Sequence, residues 1–245
     1  EIIVLALPSQ SIRDVITKNR SSFNNNHLIV NISKGIEIDT LMTISDVIDD
    51  VLDGHHKGVV TLSGPSHAEE VIRGHPTALV AASRNVSSAE RIQNLFATER
   101  LRTYLNRDIK GVELGGSMKN VIAIAAGICD GIGYGDNSKA ALMTRSMGEI
   151  TRLGKAMGAR GKTFRGLSGY GDLIVTCLSK HSRNRQLGQL IGEGLALEDI
   201  TSDMDMIAEG VYTAKSVHQL LVKHNVEMPI HEAIYQVLFE FSVRA

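Results

Sequence analysis

Over the first hundred positions, apolar residues fall into short runs, separated by segments in which they recur every three or four positions. The runs at residues 2–7, 28–32, 59–62, 77–82 and 102–105 are rich in Ile, Val, Leu and Ala, the pattern of strands in a parallel sheet covered on both faces. Between them the spacing predicts helices over 9–18, 41–52 and 89–97, the last introduced by a Ser87-x-x-Glu90 capping box. Such alternation predicts doubly wound α/β architecture. From about residue 113 the strand pattern stops, and amphipathic or wholly apolar helical stretches take over. Met143, Met147, Ile150, Leu153 and Met157 recur at three- and four-residue spacing and read as a core stripe. Pro229 sits where it opens a last helix running through Leu238. The expected class is α/β plus all-α, with a sheet domain over 1–112 and a helical domain over 113–245.

Composition then removes several classes of function. The hydrophobic fraction of 43% supplies a core, and the charges nearly cancel at net −1 with a pI near 6.8. That balance gives no field to draw nucleic acid or an anionic membrane, so an anionic metabolite would need a local basic cluster. Aromatics are only 4% and Trp is absent, which argues against a surface for stacking bases. Asp130 interrupts the longest apolar run, and the first residues form no signal-peptide core, so no membrane insertion is expected. Cys129 and Cys177 stand outside any C-x-x-C or Cys/His spacing and read as buried small hydrophobes in a reducing compartment. The nine His show no H-E-x-x-H or similar ligand spacing, so no metal is expected.

In open α/β sheets ligands collect at the carboxyl ends of strands, which singles out three turns. These are Leu7-Pro8-Ser9-Gln10, Ser33-Lys34-Gly35 and Ser63-Gly64-Pro65-Ser66-His67-Ala68. In the third, Gly64 lets the backbone approach a ligand and Pro65 suits a first helical position. The N–H groups of Ser66, His67 and Ala68 would then face an anion, or simply begin a capped helix. Lys119 lies in a helical stretch that is otherwise small and apolar. Its ammonium must snorkel out, pair with a carboxylate such as Glu113 or Asp172, or lose hydration and with it basicity. Asp172 caps the apolar helix that follows it or points into a cleft. Ser182-Arg183-Asn184-Arg185 carries two guanidinium forks suited to phosphate, on what is otherwise a solvated face. A Rossmann-type domain should carry G-x-G-x-x-G after its first strand, and none occurs in these 245 residues. The clusters Gly131-x-Gly133-x-Gly135 and Gly166-x-x-Gly169-x-Gly171 have other spacings and lie in the helical half. Either no dinucleotide is bound, or the first strand pair lies upstream of Glu1.

In their order along the chain these segments resemble one family, the soluble glycerol-3-phosphate dehydrogenases of bacterial type. The resemblance is carried by Leu5-Ala6-Leu7-Pro8-Ser9-Gln10, Ser33-Lys34-Gly35-Ile36-Glu37, Gly64-Pro65-Ser66-His67-Ala68-Glu69-Glu70 and Lys119-Asn120-Val121-Ile122-Ala123-Ile124. Gly169-Tyr170-Gly171-Asp172-Leu173, Ser182-Arg183-Asn184-Arg185 and Ala208-Glu209-Gly210-Val211 complete it. The resemblance implies a partial Rossmann-type doubly wound sheet followed by an all-helical domain, and reversible reduction of dihydroxyacetone phosphate to sn-glycerol 3-phosphate. It also implies NAD or NADP as cofactor, a cytoplasmic homodimer, and a place in glycerophospholipid synthesis. Lys119 would be the proton donor and acceptor, and Lys34, Gly64, Ser66, Asp172, Ser182, Arg183 and Asn184 would contact substrate with it. Lys34, Ala68, Arg183, Ile207 and Glu209 would contact the cofactor. His67 stands where the family often has Phe. The glycine-rich turn and the residue sensing the ribose 2′ position are expected upstream, so this stretch by itself is expected to bind NAD(P)H weakly. Two rivals remain at this stage: a related hydroxyacid dehydrogenase lacking the phosphate clamp, and a phosphometabolite-binding or dimerisation module without redox chemistry.

Overall fold

A computed structural model describes residues 1–203 and 208–240. Among these residues five strands form one sheet in the order β1 (Ile2–Leu5), β2 (Leu28–Asn31), β3 (Gly58–Ser63), β4 (Thr77–Ala82) and β5 (Leu101–Asn106). Neighbouring pairs run parallel except β3 and β4, which are antiparallel. The sheet is thus mostly parallel, as expected, with one reversal that hydrophobic pattern alone does not encode. Alternate strand residues serve opposite faces. Ile29 and Val59 join Ile12, Ile16, Val47, Ile48 and Leu52 from α1 (Ile12–Lys18) and α2 (Ile44–Leu52). Leu28, Val30, Val60 and Leu62 pack instead with Ile92 of α4 (Val86–Phe96). Both faces are covered.

Two helix starts differ from the sequence expectation. The cap of α4 is Asn85, whose Oδ1 accepts from the Ser87 and Ser88 N–H groups; the box expected at Ser87 and Glu90 does not form, because the helix already begins at Val86 and both residues lie inside it. Likewise Pro65 does not open a helix. The chain bends at Gly64 and Pro65, His67 is extended (φ −63°, ψ 130°), and α3 begins at Ala68 and ends at Ile72. Gly64 adopts φ +146°, a conformation open to glycine and strained for other residues, and this sets the turn.

The helical half is built around α5 (Ile109–Ile132), which starts at an Asp108 cap that binds the Gly111 N–H. Its first turn belongs to the sheet core through Ile109 and Val112, whereas Leu114 to Ala126 belong to the helical core. By length and composition α5 could cross a bilayer, contrary to the reading of Asp130 as an interruption. In this fold it is a core helix, 89% buried over its most apolar stretch. Around it lie α6 (Asp136–Ala156), α7 (Asp172–Leu178), α8 (Arg183–Gly192), α9 (Leu197–Asp203), α10 (Glu209–His224) and α11 (Pro229–Phe239). Met147, Ile150 and Leu153 are buried in the core stripe, and Pro229 opens α11 at its first turn.

Helices α5 and α8 meet backbone to backbone. Each presents two glycines four residues apart: a Cβ on Gly127 would lie 1.9 Å from the Arg185 carbonyl oxygen, and one on Gly188 the same distance from that of Ile124. Only glycine permits this approach, and it fixes where Arg183 and Asn184 sit relative to Lys119. Gly188→Ala should therefore destabilise the fold by at least about 2 kcal/mol, the range of overpacking in a core that cannot shift. Gly135→Ala, where a Cβ meets nothing within 4 Å, should stay within about 0.5 kcal/mol. Urea midpoints at unchanged m-value measure both.

Candidate active site

The carboxyl ends of β1, β2 and β3 face the amino-terminal ends of α8 and α10 across a cleft of about 880 Å³. Its chemical centre is one buried carboxylate with two ammoniums. Asp172, the first residue of α7, is 1% exposed and accepts from Lys34 Nζ at 2.6 Å through Oδ2 and from Lys119 Nζ through Oδ1. Lys34 also donates to the Gly64 carbonyl at 3.3 Å, and Lys119 to Thr176 Oγ1 at 2.6 Å. Of the partners open to Lys119, Asp172 is the one taken. Glu113 is occupied elsewhere, accepting from the Ser45 N–H and Oγ, Thr61 Oγ1 and Asn31 Nδ2.

Lys119 is 5% exposed. Burial pushes its ammonium down to about 7; the charge of Lys34 lowers it too, and Asp172 opposes both. For Asp172, burial favours the neutral acid, but the two ammoniums overcome this and hold the carboxyl below the usual carboxylate range. The result is a lysine able to give and take a proton near neutrality, on the wall of an open cleft.

The expected site residues fall into groups. Lys34, Ser66, Ala68, Lys119, Ser182, Arg183, Asn184 and Glu209 line the cleft. Gly64 and Asp172 lie behind this surface and act through the lysines. Arg183 is exposed to the cleft, whereas Arg185, read with it as a second phosphate fork, is turned away and pairs with Asp130 at 2.6 Å. Ser182 caps α8 through the Arg185 N–H, and Asn184 Oδ1 receives the Gly210 N–H at 2.9 Å, holding the start of α10. Glu209 reaches across to the first turn, accepting from the Ser9 N–H at 2.9 Å and from Ser9 Oγ. Ile207 lies outside the described residues. Thr176 was not singled out by the sequence, although its position four residues after Asp172 on a helix places the two on one face. Asn120, Gln10 and Tyr212 also line the cleft.

Comparison with known proteins fits this geometry. The model of the NAD-dependent glycerol-3-phosphate dehydrogenase N-terminus matches residues 1–89, and that of the C-terminus matches residues 108–242. The chain belongs to the NAD-dependent glycerol-3-phosphate dehydrogenase family. It is 55% identical to glycerol-3-phosphate dehydrogenase [NAD(P)+] 2 of Salinibacter ruber over 96% of this chain and 69% of that protein. It is 50% identical to glycerol-3-phosphate dehydrogenase [NAD(P)+] of Bacillus subtilis over 98% of this chain and 70% of that one. A crystal structure of glycerol-3-phosphate dehydrogenase from Coxiella burnetii matches with a TM-score of 0.93 at 36% identity, covering 98% of this chain and 73% of that chain.

Asp172 raises the basicity of Lys119 and Lys34 depresses it, so the two substitutions should act in opposite senses. Asp172→Asn should move the Lys119 titration below about 7, and Lys34→Met should move it above. Nitrogen-detected NMR of labelled lysine side chains reads both; a shift of the same sign in the two variants would contradict the shared-carboxylate arrangement.

Proposed function

We propose that this chain carries the substrate and proton-transfer machinery of an oxidoreductase that interconverts dihydroxyacetone phosphate and sn-glycerol 3-phosphate with NAD(H) or NADP(H). The observation that carries the reading is the buried Lys119 ammonium on the wall of the same cleft that holds the exposed Arg183.

The cleft also suits part of a nicotinamide dinucleotide. Ala6, Leu7, Pro8 and Ala68 offer an apolar lining at the strand ends, while Lys34 and Arg183 offer charge to an anionic group. Lys34, Ala68, Arg183 and Glu209 are the residues that would hold it. When bound, the nicotinamide supplies or removes the hydride at the carbinol carbon. Reduction of the ketone builds negative charge on its oxygen, and Lys119 stabilises that charge and delivers the proton; in oxidation the neutral amine accepts it. Asp172 and Thr176 fix the Lys119 Nζ in place, so no reorganisation is needed as charge develops. Arg183, with Ser182 and Asn184 beside it, anchors the phosphate. Binding energy away from the carbonyl then holds the reacting carbon in position.

The net charge of −1 supplies no field for nucleic acid, whereas Lys34 and Arg183 in the cleft suit a small anionic metabolite. Membership of the family is the ground on which a cytoplasmic location, a role in glycerophospholipid synthesis and a homodimer are included in this proposal.

Steady-state oxidation of NADH and NADPH with dihydroxyacetone phosphate, in the full-length protein, tests the reading; no turnover with either would overturn it. Lys119→Ala should lower kcat by about 10²- to 10⁴-fold, the usual contribution of a positioned acid, and leave KM within a few-fold. Arg183→Ala should instead raise KM for the phosphorylated ketone by at least about tenfold, the loss of a charge-assisted hydrogen bond.

A further inference from the structure

The turn between β3 and α3 brings a second ionisable group to the cleft that the proton-transfer scheme does not use. His67 lines the cleft beside Ser66, and its ring lies 6.3 Å from that of His181, which immediately precedes the Ser182-Arg183-Asn184 segment. His181 lines the same cleft. The Nε2 atom of His67 is buried and has no hydrogen-bond partner among the described residues. This nitrogen is closed to solvent, so a ligand in the cleft acts on the ring through its charge rather than by bonding to it. Two imidazoles next to an exposed guanidinium form a basic corner, and the ligand chemistry that suits such a corner is a phosphate dianion.

We propose that His67, with His181 beside it, is part of the phosphate-binding corner and takes up a proton when a phosphate monoester dianion binds. This rests on the substrate class proposed above.

The charges around His67 make the uptake conditional on ligand. In the free protein burial lowers its basicity, and the ammonium of Lys119 on α5 lowers it further. The carbonyl of Val175 and the carboxylates of Asp172 on α7 and Glu69 on α3 act the other way without reversing the shift. His67 is therefore neutral at pH 7 before binding. An arriving dianion supplies two negative charges at the corner and offsets the repulsion from Lys119, so the protonated imidazole becomes the favoured form. The sign follows from linkage: binding raises the His67 pKa, so affinity is greatest below the free-state value, falls by up to about tenfold per pH unit between the free- and bound-state values, and levels off above the latter. Phosphate monoesters lose their own second proton near about pH 6, so above pH 7 the ligand contributes little to the count.

The test is calorimetric titration of sn-glycerol 3-phosphate into the protein at pH 7.5, with and without NADH, in buffers of different ionisation enthalpy. NADH and this ligand are both reduced, so no turnover intervenes. The slope of observed enthalpy against buffer enthalpy gives the protons taken up. The expected value is smaller in His67→Phe, which keeps a planar ring without nitrogen, than in the native protein by up to one proton; what remains is the share of Lys119. His67→Gln keeps a polar side chain and should behave as His67→Phe does, separating titration from packing. Because Lys119 also titrates near neutrality, Lys119→Met is the counterpart: uptake should persist in it. Uptake as large in both His67 variants as in the native protein, or uptake that disappears in Lys119→Met, overturns the inference. Binding without proton uptake overturns it while leaving the proposed function intact. Failure of the native protein to bind sn-glycerol 3-phosphate overturns both.

Discussion

Asp172 is the point on which the rest of the site depends. It receives one ammonium from the loop after β2 and another from the core helix α5, and it does so with 1% of its surface exposed. Two charges gathered on one buried carboxylate leave the cluster with a net positive charge. Lost hydration is what makes Lys119 a weaker base than a lysine in water; Asp172 opposes the shift and the charge of Lys34 adds to it. Removing the carboxylate would strand two cations, the costly way to break a buried pair. The same contact joins the two halves of the fold, because Lys34 comes from the sheet and Asp172 and Lys119 from the helices.

Much of the remaining structure fixes the orientation of α5 around that contact. Glu113, one and a half turns before Lys119, is held by donors from β2, β3 and the start of α2, which ties the helix to the sheet. Burial raises the Glu113 pKa against the pull of the Ser45, Thr43 and Thr61 hydroxyls, so no charge partner is needed for it to act as a tie. On the opposite side the glycine contacts with α8 set the distance to Arg183, and Asp130 removes Arg185 from competition for ligand. Ser9 and Glu209 span the cleft at its first-strand side. A single helix thus presents its lysine between two anchored surfaces.

The strands were legible because burial on both faces leaves near-continuous apolar runs, and all five runs became strands. The reversal between β3 and β4 was not, since strand direction leaves no mark on hydrophobic pattern. Lys119 stood out because an ammonium in a small, apolar helix demands an explanation. Its partner could not be chosen between Glu113 and Asp172, because the choice depends on donors 52 to 82 residues from Glu113. Arg183 and Arg185 are alike in sequence and differ only in which side of α8 meets Asp130. The Ser87 and Glu90 spacing was misleading, since Asn85 sits two residues earlier and is an equally good acceptor. Thr176 acquires a role only once Asp172 and Lys119 are brought together.

The central claim is that Lys119, held near neutrality by burial and shared neutralisation, carries the proton in both directions. The pH dependence of kcat/KM, which reports groups in the free enzyme, tests it directly when measured for both directions. Reduction of dihydroxyacetone phosphate needs the protonated ammonium and should fall as pH rises through about 7. Oxidation of sn-glycerol 3-phosphate needs the neutral amine and should fall as pH drops through the same value. Mirror-image profiles crossing near that pH are the predicted result; profiles that are flat from pH 6 to 9, or that move in the same sense in both directions, would contradict the account.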